Sequence, residues 1–126
     1  VTDGDRLLMS KYAGRDYTHY ALIAGYTEIG ETIEQTVHRE VMEEAGLRVK
    51  NLRYFDSQPW GFASNLLLGF FCQLDGSDEI HMDEEELQFA QWVKREELPE
   101  PESLASLTAT MIELFRQGKE NGPWTL

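Results

Sequence analysis

Residues 25–47 decide how this chain is interpreted, and they read GYTEIGETIEQTVHREVMEEAGL. Their central part, Thr32–Ala45, carries the clearest helix pattern in the sequence. An aliphatic or small apolar residue recurs at every fourth position and predicts a buried stripe along one helix face, formed by Ile33, Val37, Val41 and Ala45. Gly46 directly follows and is a typical C-terminal stop, so the helix is predicted to end there.

The same helix gathers negative charge on one side. At 100° per residue, Glu40, Glu43 and Glu44 crowd together beside the apolar stripe. Like charges at this spacing destabilise a helix, and near its C-terminal end they also oppose the helix dipole. An unneutralised acidic cluster therefore indicates a site for a hard divalent cation, which prefers carboxylate oxygens. Arg39 lies four residues before Glu43 and is predicted to pair with it. The alternative to a cation site is an acidic surface helix that binds no metal.

Composition narrows the class of protein. The 126 residues are 41% hydrophobic and carry a net charge of −12, which predicts one compact domain over residues 1–126. Such a charge disfavours a general nucleic-acid platform. The strongest apolar run, Leu66–Cys72, is too short to cross a bilayer, so no membrane partner is expected. The single cysteine excludes an internal disulfide or a Cys-based zinc site and fits a reducing compartment, with the cytoplasm as the predicted location.

Turn and strand patterns predict the remaining elements of the domain. The predicted elements are a hairpin turn at Asp3-Gly4, strands at Arg6–Lys11, His19–Ala24, Val49–Ser57, Asn65–Leu74 and Phe89–Val93, a polar loop at Gly14–Tyr17, and a closing helix Ser103–Gln117 capped by Ser103. This order predicts a mixed α/β/α layered domain. Val1 would end a strand of one or two residues, so either the true start lies upstream or the chain is an excised domain with a truncated N-terminus.

Residues 25–47 also fill every position of the pattern G-x5-E-x7-R-E-U-x-E-E-x-G-U, in which U is a bulky aliphatic residue. Its seven fixed letters would coincide by chance with a probability of about 10⁻⁸ per start position. This pattern is the Nudix box, so the chain resembles Nudix hydrolases. The resemblance implies an α/β (α+β) fold, namely an α/β/α sandwich with a mixed curved sheet and a catalytic loop–helix–loop.

The resemblance also assigns roles within the box. The implied cofactor is Mg²⁺ or Mn²⁺, with no zinc in this chain. The implied metal ligands are the Ala24 carbonyl and the side chains of Glu40, Glu43, Glu44 and Glu86. The implied catalytic residues are Arg39, Glu40, Glu43 and Glu44, and the glutamate that acts as general base stays open. Gly25, Glu31 and Gly46 have structural roles in the motif. Glu86 is chosen over Glu85 by its position directly before Leu87.

A second segment, Ser57–Asn65, reads SQPWGFASN and resembles the SQPWPFPxS motif of the NADH pyrophosphatase branch. Gly61 and Ala63 replace two prolines, and Asn65 replaces the final serine. The substrate-binding residues implied by this resemblance are Gln58, Pro59, Trp60, Gly61, Phe62, Ala63, Ser64, Asn65 and, near the last helix, Ala105. Trp60 or Phe62 would stack on a nicotinamide or adenine ring. The alternative is that both rings belong to the core or a dimer interface.

The predicted function is Mg²⁺-dependent cleavage of NADH or NAD⁺ into nicotinamide mononucleotide and AMP, with an NAD-capped RNA end as a further substrate. Hydrolysis of ADP-ribose, another nucleotide sugar or a nucleoside triphosphate is the alternative activity. A non-catalytic Nudix module is the alternative class, but such modules typically lack a box carboxylate, and all four are present here. The branch resemblance also implies a homodimer. Because a four-cysteine zinc ribbon is missing, the chain is either an isolated catalytic domain or a shorter relative.

Overall fold

The computed structural model describes residues 1–12, 21–60, 64–85 and 87–124. Its elements, in chain order, are β1 (Thr2–Asp3), β2 (Arg6–Tyr12), α1 (Ile33–Ala45), β3 (Val49–Trp60), β4 (Asn65–Leu74), β5 (Leu87–Lys94), a 3-10 turn (Arg95–Glu97) and α2 (Leu107–Arg116). The predicted loop Gly14–Tyr17 lies outside the described residues. Within the described part of the chain, no helix has the length and apolar character needed to cross a membrane.

The strands form one mixed sheet in the order β3-β4-β1-β2-β5. β1 runs parallel to β4 through the pair Thr2–Gln73 and antiparallel to β2, while the β2–β5 and β3–β4 pairs are antiparallel. The predicted hairpin at Asp3-Gly4 is confirmed, because Asp3 pairs with Arg6 across the turn.

The two helices cover opposite faces of this sheet. Leu8 packs in a buried cluster with Val41 of α1, whereas Leu7 and Met9 pack with Phe115 of α2. Successive residues of a strand point to opposite faces, so the alternation along β2 separates the two helices. The predicted α/β/α arrangement is therefore confirmed.

Local capping explains the bounds of α1. The Thr32 hydroxyl accepts a hydrogen bond from the Gln35 amide at 3.1 Å, and the Gln35 side chain accepts one from the Thr32 amide at 2.8 Å, which forms a capping box. Gly46 ends the helix in the left-handed conformation at φ 68°, as predicted. The predicted apolar stripe is buried at Val41 and Ala45 but not at Ile33, which is 40% exposed.

Three predicted elements differ from the structure by three residues or more. His19–Ala24 was expected to be a strand, but in its described part Ala21 alone bridges to Ser10, and residues 22–24 are outside any strand. β3 continues to Trp60 instead of ending at Ser57, since Pro59 pairs with Leu66 and Trp60 with Asn65.

The third difference is the start of the closing helix. α2 begins at Leu107, and Ser106 rather than Ser103 is its N-cap, accepting from the Ala109 amide at 3.1 Å. The Ser103 hydroxyl instead accepts from the Ala105 amide at 3.1 Å, so it caps a turn that precedes the helix.

Candidate active site

Gly25 lies directly against the side chain of Glu40. A β-carbon built on Gly25 would overlap the carboxylate of Glu40. The loop before α1, residues 24–32, therefore passes directly against the acidic side of the helix. Only glycine leaves room for the carboxylate here, which explains the residue that opens the box.

Arg39 binds three box glutamates and the backbone of the same loop. Its Nε and Nη2 donate to the two carboxylate oxygens of Glu31 at 2.7 and 2.9 Å. Its Nη1 donates to Glu40 at 2.7 Å and to Glu43 at 3.1 Å. Nη2 also donates to the Tyr26 carbonyl at 2.8 Å. The predicted Arg39–Glu43 pair is confirmed, and one guanidinium neutralises carboxylates that would otherwise repel one another.

Glu31 is held by several donors at once. Besides the bidentate pair with Arg39, its Oε1 lies 2.8 Å from the Thr36 hydroxyl and accepts from the Glu28 amide at 3.2 Å. Hydrogen bonding to Arg39 and then to Thr36 lowers the pKa of Glu31 from about 4.5 to about 2. Glu31 therefore remains ionised and joins the loop to α1 through Arg39 and Thr36.

Glu44 is in the same helical turn but has a different environment. Its side chain is buried, with 4% of the residue exposed, whereas the Glu43 side chain is 58% exposed. The backbone carbonyls of Glu44 and Ala45 accept from the amides of Asp83 and His81 at 2.9 and 2.8 Å. These bonds bring the acidic stretch before β5 to the C-terminal end of α1. Glu86 itself lies outside the described residues.

The donor chemistry of this site fits a hard divalent cation. Glu40 and Glu43 supply carboxylate oxygens beside an exposed loop backbone that includes Ala24, and the Glu40 carboxylate occupies the space that a side chain at Gly25 would fill. Among the residues that the structure describes, no three His, Cys, Asp or Glu side chains form a group able to hold a metal. Arg39 supplies the positive charge that Glu31, Glu40 and Glu43 share.

Within the segment Ser57–Asn65, Ser57–Trp60 end β3 and Asn65 begins β4. Both polar atoms of the Gln58 amide are bonded to the start of α2 and the residues just before it: Nε2 donates to the Ala105 carbonyl at 3.1 Å, and Oε1 accepts from the Leu107 amide at 2.9 Å. Pro59 and Ser64 are exposed, as is Ala105. Gly61, Phe62 and Ala63 lie outside the described residues, as does the side chain of Trp60.

Asn65 links this segment to the box. Its Nδ2 donates to the Tyr26 hydroxyl at 3.3 Å. Tyr26 is 73% exposed, and its carbonyl is the one that Arg39 binds. The sequence did not indicate this contact, because it joins residues 39 positions apart.

Thr36 was also missed by sequence reasoning. It is buried in the first turns of α1, and its hydroxyl lies 3.0 Å from the Thr27 hydroxyl as well as close to Glu31. The sequence does show a threonine among the aliphatic positions of the predicted helix, which could have drawn attention to Thr36. It did not identify Thr27 and Glu31 as the partners of its hydroxyl.

Comparison with known proteins agrees with this geometry. The sequence profile described as NUDIX domain matches residues 1–115. The chain therefore belongs to the NUDIX domain family, and its assignment to the Nudix hydrolase class is confirmed.

Relatives place it near one branch of that family. It is 48% identical over 99 residues, 79% of its length, to the NAD-capped RNA hydrolase NudC of Photobacterium profundum, and covers 37% of that protein. It is 40% identical over 126 residues, 97% of its length, to the NudC of Erwinia tasmaniensis, and covers 48% of that protein. The chain thus spans less than half the length of these two relatives.

A solved structure supports the fold. The crystal structure of a NUDIX hydrolase from Nitrosomonas europaea aligns with 94% of this chain and 66% of its own, with a TM-score of 0.75 and 22% sequence identity. The Nudix α+β fold predicted from the box is therefore confirmed.

Proposed function

We propose that this domain is a Mg²⁺- or Mn²⁺-dependent pyrophosphohydrolase that cleaves NADH or NAD⁺ to nicotinamide mononucleotide and AMP. The observation that carries the proposal is the cluster of Glu31, Glu40 and Glu43 around Arg39, seated against Gly25. All four box carboxylates are present in the sequence, and three of them are hydrogen-bonded to Arg39, which favours an enzyme over a non-catalytic module.

The metal would be held by the side chains of Glu40, Glu43, Glu44 and Glu86 and by the Ala24 carbonyl. When bound, it would offset the charge of the diphosphate and lower the pKa of a water molecule. Arg39 fixes the Glu40 and Glu43 carboxylates by donating to one oxygen of each. Arg39 is bonded to Glu31, Glu40 and Glu43 at 3.1 Å or less. Glu43 has the most exposed side chain of the three, so we assign it to accept the proton of the attacking water.

The NAD-linked substrate is supported by two features. Asn65, the last residue of the segment that contains SQPW, is hydrogen-bonded to Tyr26 of the box. The NudC relatives are named as NAD-capped RNA hydrolases. We therefore include an NAD-capped RNA end among the proposed substrates. We also propose a homodimer as the assembly and the cytoplasm as the location. Cys72, the single cysteine, is buried and free, which is compatible with a reducing compartment.

The test is turnover of NADH, NAD⁺, ADP-ribose and NAD-capped RNA with Mg²⁺, Mn²⁺ or EDTA. We expect NADH to give the highest kcat/KM and EDTA to abolish turnover. Glu44→Gln should lower kcat by about 100-fold or more while the domain stays folded. Glu34→Gln is the matched control, because Glu34 is an exposed acid in the first turn of the same helix.

The alternatives give different results. A clear preference for ADP-ribose, or for a nucleoside triphosphate, would refute the NADH assignment while preserving the hydrolase. Binding of NADH without product after long incubation with either metal would favour a ligand-sensing module. Full activity in Glu44→Gln would contradict the role of that glutamate.

A further inference from the structure

Gln58 faces α2 rather than the catalytic helix. It pairs with Leu67 of β4, and Leu67 packs against the buried cluster of Phe55, Phe71, Leu107 and Met111. Residues directly opposite on paired strands project from the same face of the sheet. The Gln58 amide therefore lies on the face that carries α2, whereas Glu40 and Glu43 belong to the helix on the other face.

The amide of Gln58 matches the polarity of its partners. Its oxygen accepts from the Leu107 N–H, one of the first helical amides that lack a partner within α2, and its nitrogen donates to the Ala105 carbonyl. The Ala105 N–H is bonded in turn to the Ser103 hydroxyl. Both peptide groups of Ala105 are thus fixed, one by Gln58 and one by Ser103.

Close packing reinforces this arrangement. A β-carbon on Gly69 of β4 would lie 2.7 Å from the Met111 sulfur and 3.1 Å from Leu107 Cδ2. Glycine at this position lets the first turns of α2 rest directly on the hairpin. The start of α2 is therefore packed against Gly69 and hydrogen-bonded to Gln58, so that the exposed Ala105 is held at a set position relative to the end of β3, Ser57–Trp60.

We propose that Gln58 is a positioning residue for the substrate, acting through the backbone of Ala105 rather than by touching the substrate itself. This inference rests on the proposed function, because it takes Ala105 and the end of β3, Ser57–Trp60, as walls of the substrate site. Gln58 sets the distance between these two walls, and its loss weakens substrate binding without altering the chemistry at the box.

The experiment is a double-mutant cycle of Gln58→Met and Ser103→Ala, read as KM and kcat for NADH. Methionine keeps the length of glutamine but makes neither hydrogen bond. We expect Gln58→Met to raise KM by about three- to tenfold with kcat changed less than twofold. Because both residues hold Ala105, one through its carbonyl and the other through its N–H, the double variant should be clearly non-additive in KM. Additive effects, as expected if Gln58 binds substrate directly, would overturn the proposal.

Gln58→Glu supplies an independent check. In this variant an ionised carboxylate can still accept from the Leu107 amide, but its second oxygen faces the Ala105 carbonyl, and two acceptors cannot bond. The KM should therefore rise at least as much as in Gln58→Met. Protonation restores a donor, and the KM ratio of this variant to the parent should fall as the pH is lowered toward 4.5, while the ratio for Gln58→Met stays flat. A flat ratio for Gln58→Glu would contradict the proposal.

The experiment distinguishes failure of the positioning role from failure of the proposed function. If the parent domain binds NADH without hydrolysing it, the same cycle is read from the Kd for NADH, and non-additivity there supports the positioning role while the hydrolase assignment fails. If NADH neither binds nor turns over, both fail.

Discussion

The Glu40 carboxylate occupies the space above Gly25 that a side chain would need. Gly25 does not adopt a positive φ, so alanine is compatible with its backbone. A methyl group there would instead displace Glu40. We expect Gly25→Ala to lower kcat for NADH by about tenfold or more with little loss of stability. In a Glu40→Ala background the same change should have almost no further effect, and an equal loss in both backgrounds would contradict the steric explanation.

Glu31 should make the stability of the domain depend on pH. Arg39 lowers the pKa of Glu31 to about 2, below its ordinary value near 4.5. A carboxylate with a depressed pKa stabilises the folded state above its unfolded pKa, and that contribution is lost as the pH falls through the folded pKa. The difference in free energy of unfolding between the parent and Glu31→Gln should be constant above about pH 5.5 and shrink between about 4.5 and 2.

The measurement is urea unfolding at a series of pH values, with Glu34→Gln as the control. That variant removes an exposed acid from the same helix. Its difference from the parent should vary much less with pH. A parent-to-Glu31→Gln difference that is unchanged at pH 3 would show that Arg39 does not stabilise the ionised form of Glu31.

Asn65 should couple the hairpin to the box through Tyr26. Serine, the residue of the resembled motif, is too short to span the contact made by the Asn65 amide. We expect Asn65→Ser and Tyr26→Phe each to raise KM for NADH by about two- to threefold, with no further rise when they are combined. A rise in the double variant equal to the product of the two single effects would show that the residues act separately.

Glu120 should stabilise the fold without serving the site. It is 5% exposed, and its carboxylate oxygens lie 2.9 and 3.2 Å from Arg95 Nη1. The Arg95 guanidinium also donates to the Phe115 carbonyl and lies 4.0 Å from the centre of the Phe115 ring. Glu120→Ala should cost about 1–3 kcal/mol of unfolding free energy in urea. The kcat/KM for NADH should stay within twofold, and a larger fall would place Glu120 in the catalytic machinery.

Local sequence predicted α1 well because its determinants are local. The apolar spacing, the Thr32 cap and Gly46 all lie within one segment. Ser103 was predicted to cap α2, but Ser106 is its N-cap. The start of this helix also has a contact that is not local, because the Leu107 amide donates to Gln58, 49 residues away.

The prediction of a strand at His19–Ala24 was wrong for a related reason. Its residues are apolar enough for a strand, but Ala21 alone pairs with Ser10 in the described part. The chain must then leave the sheet to bring Gly25 against Glu40. The Arg39 cluster was likewise only partly predictable, since the Arg39–Glu43 spacing is local to the helix, whereas Glu31 and Tyr26 come from the preceding loop.

β1 has only two residues, yet it is the strand that joins the β3–β4 hairpin to the β2–β5 pair. One backbone pair, Thr2 with Gln73, and the hydrogen bond from the Thr2 hydroxyl to the Cys72 carbonyl at 3.3 Å connect it to β4. The sheet thus has a narrow seam at β1, and both helices cross it. Val41 of α1 packs with Leu8 of β2 and Cys72 of β4, while α2 packs with β2 through Phe115 and with β4 through Met111. The junction between the two halves of the sheet therefore depends on helix packing more than on backbone pairing, and weakening either helix contact should loosen it.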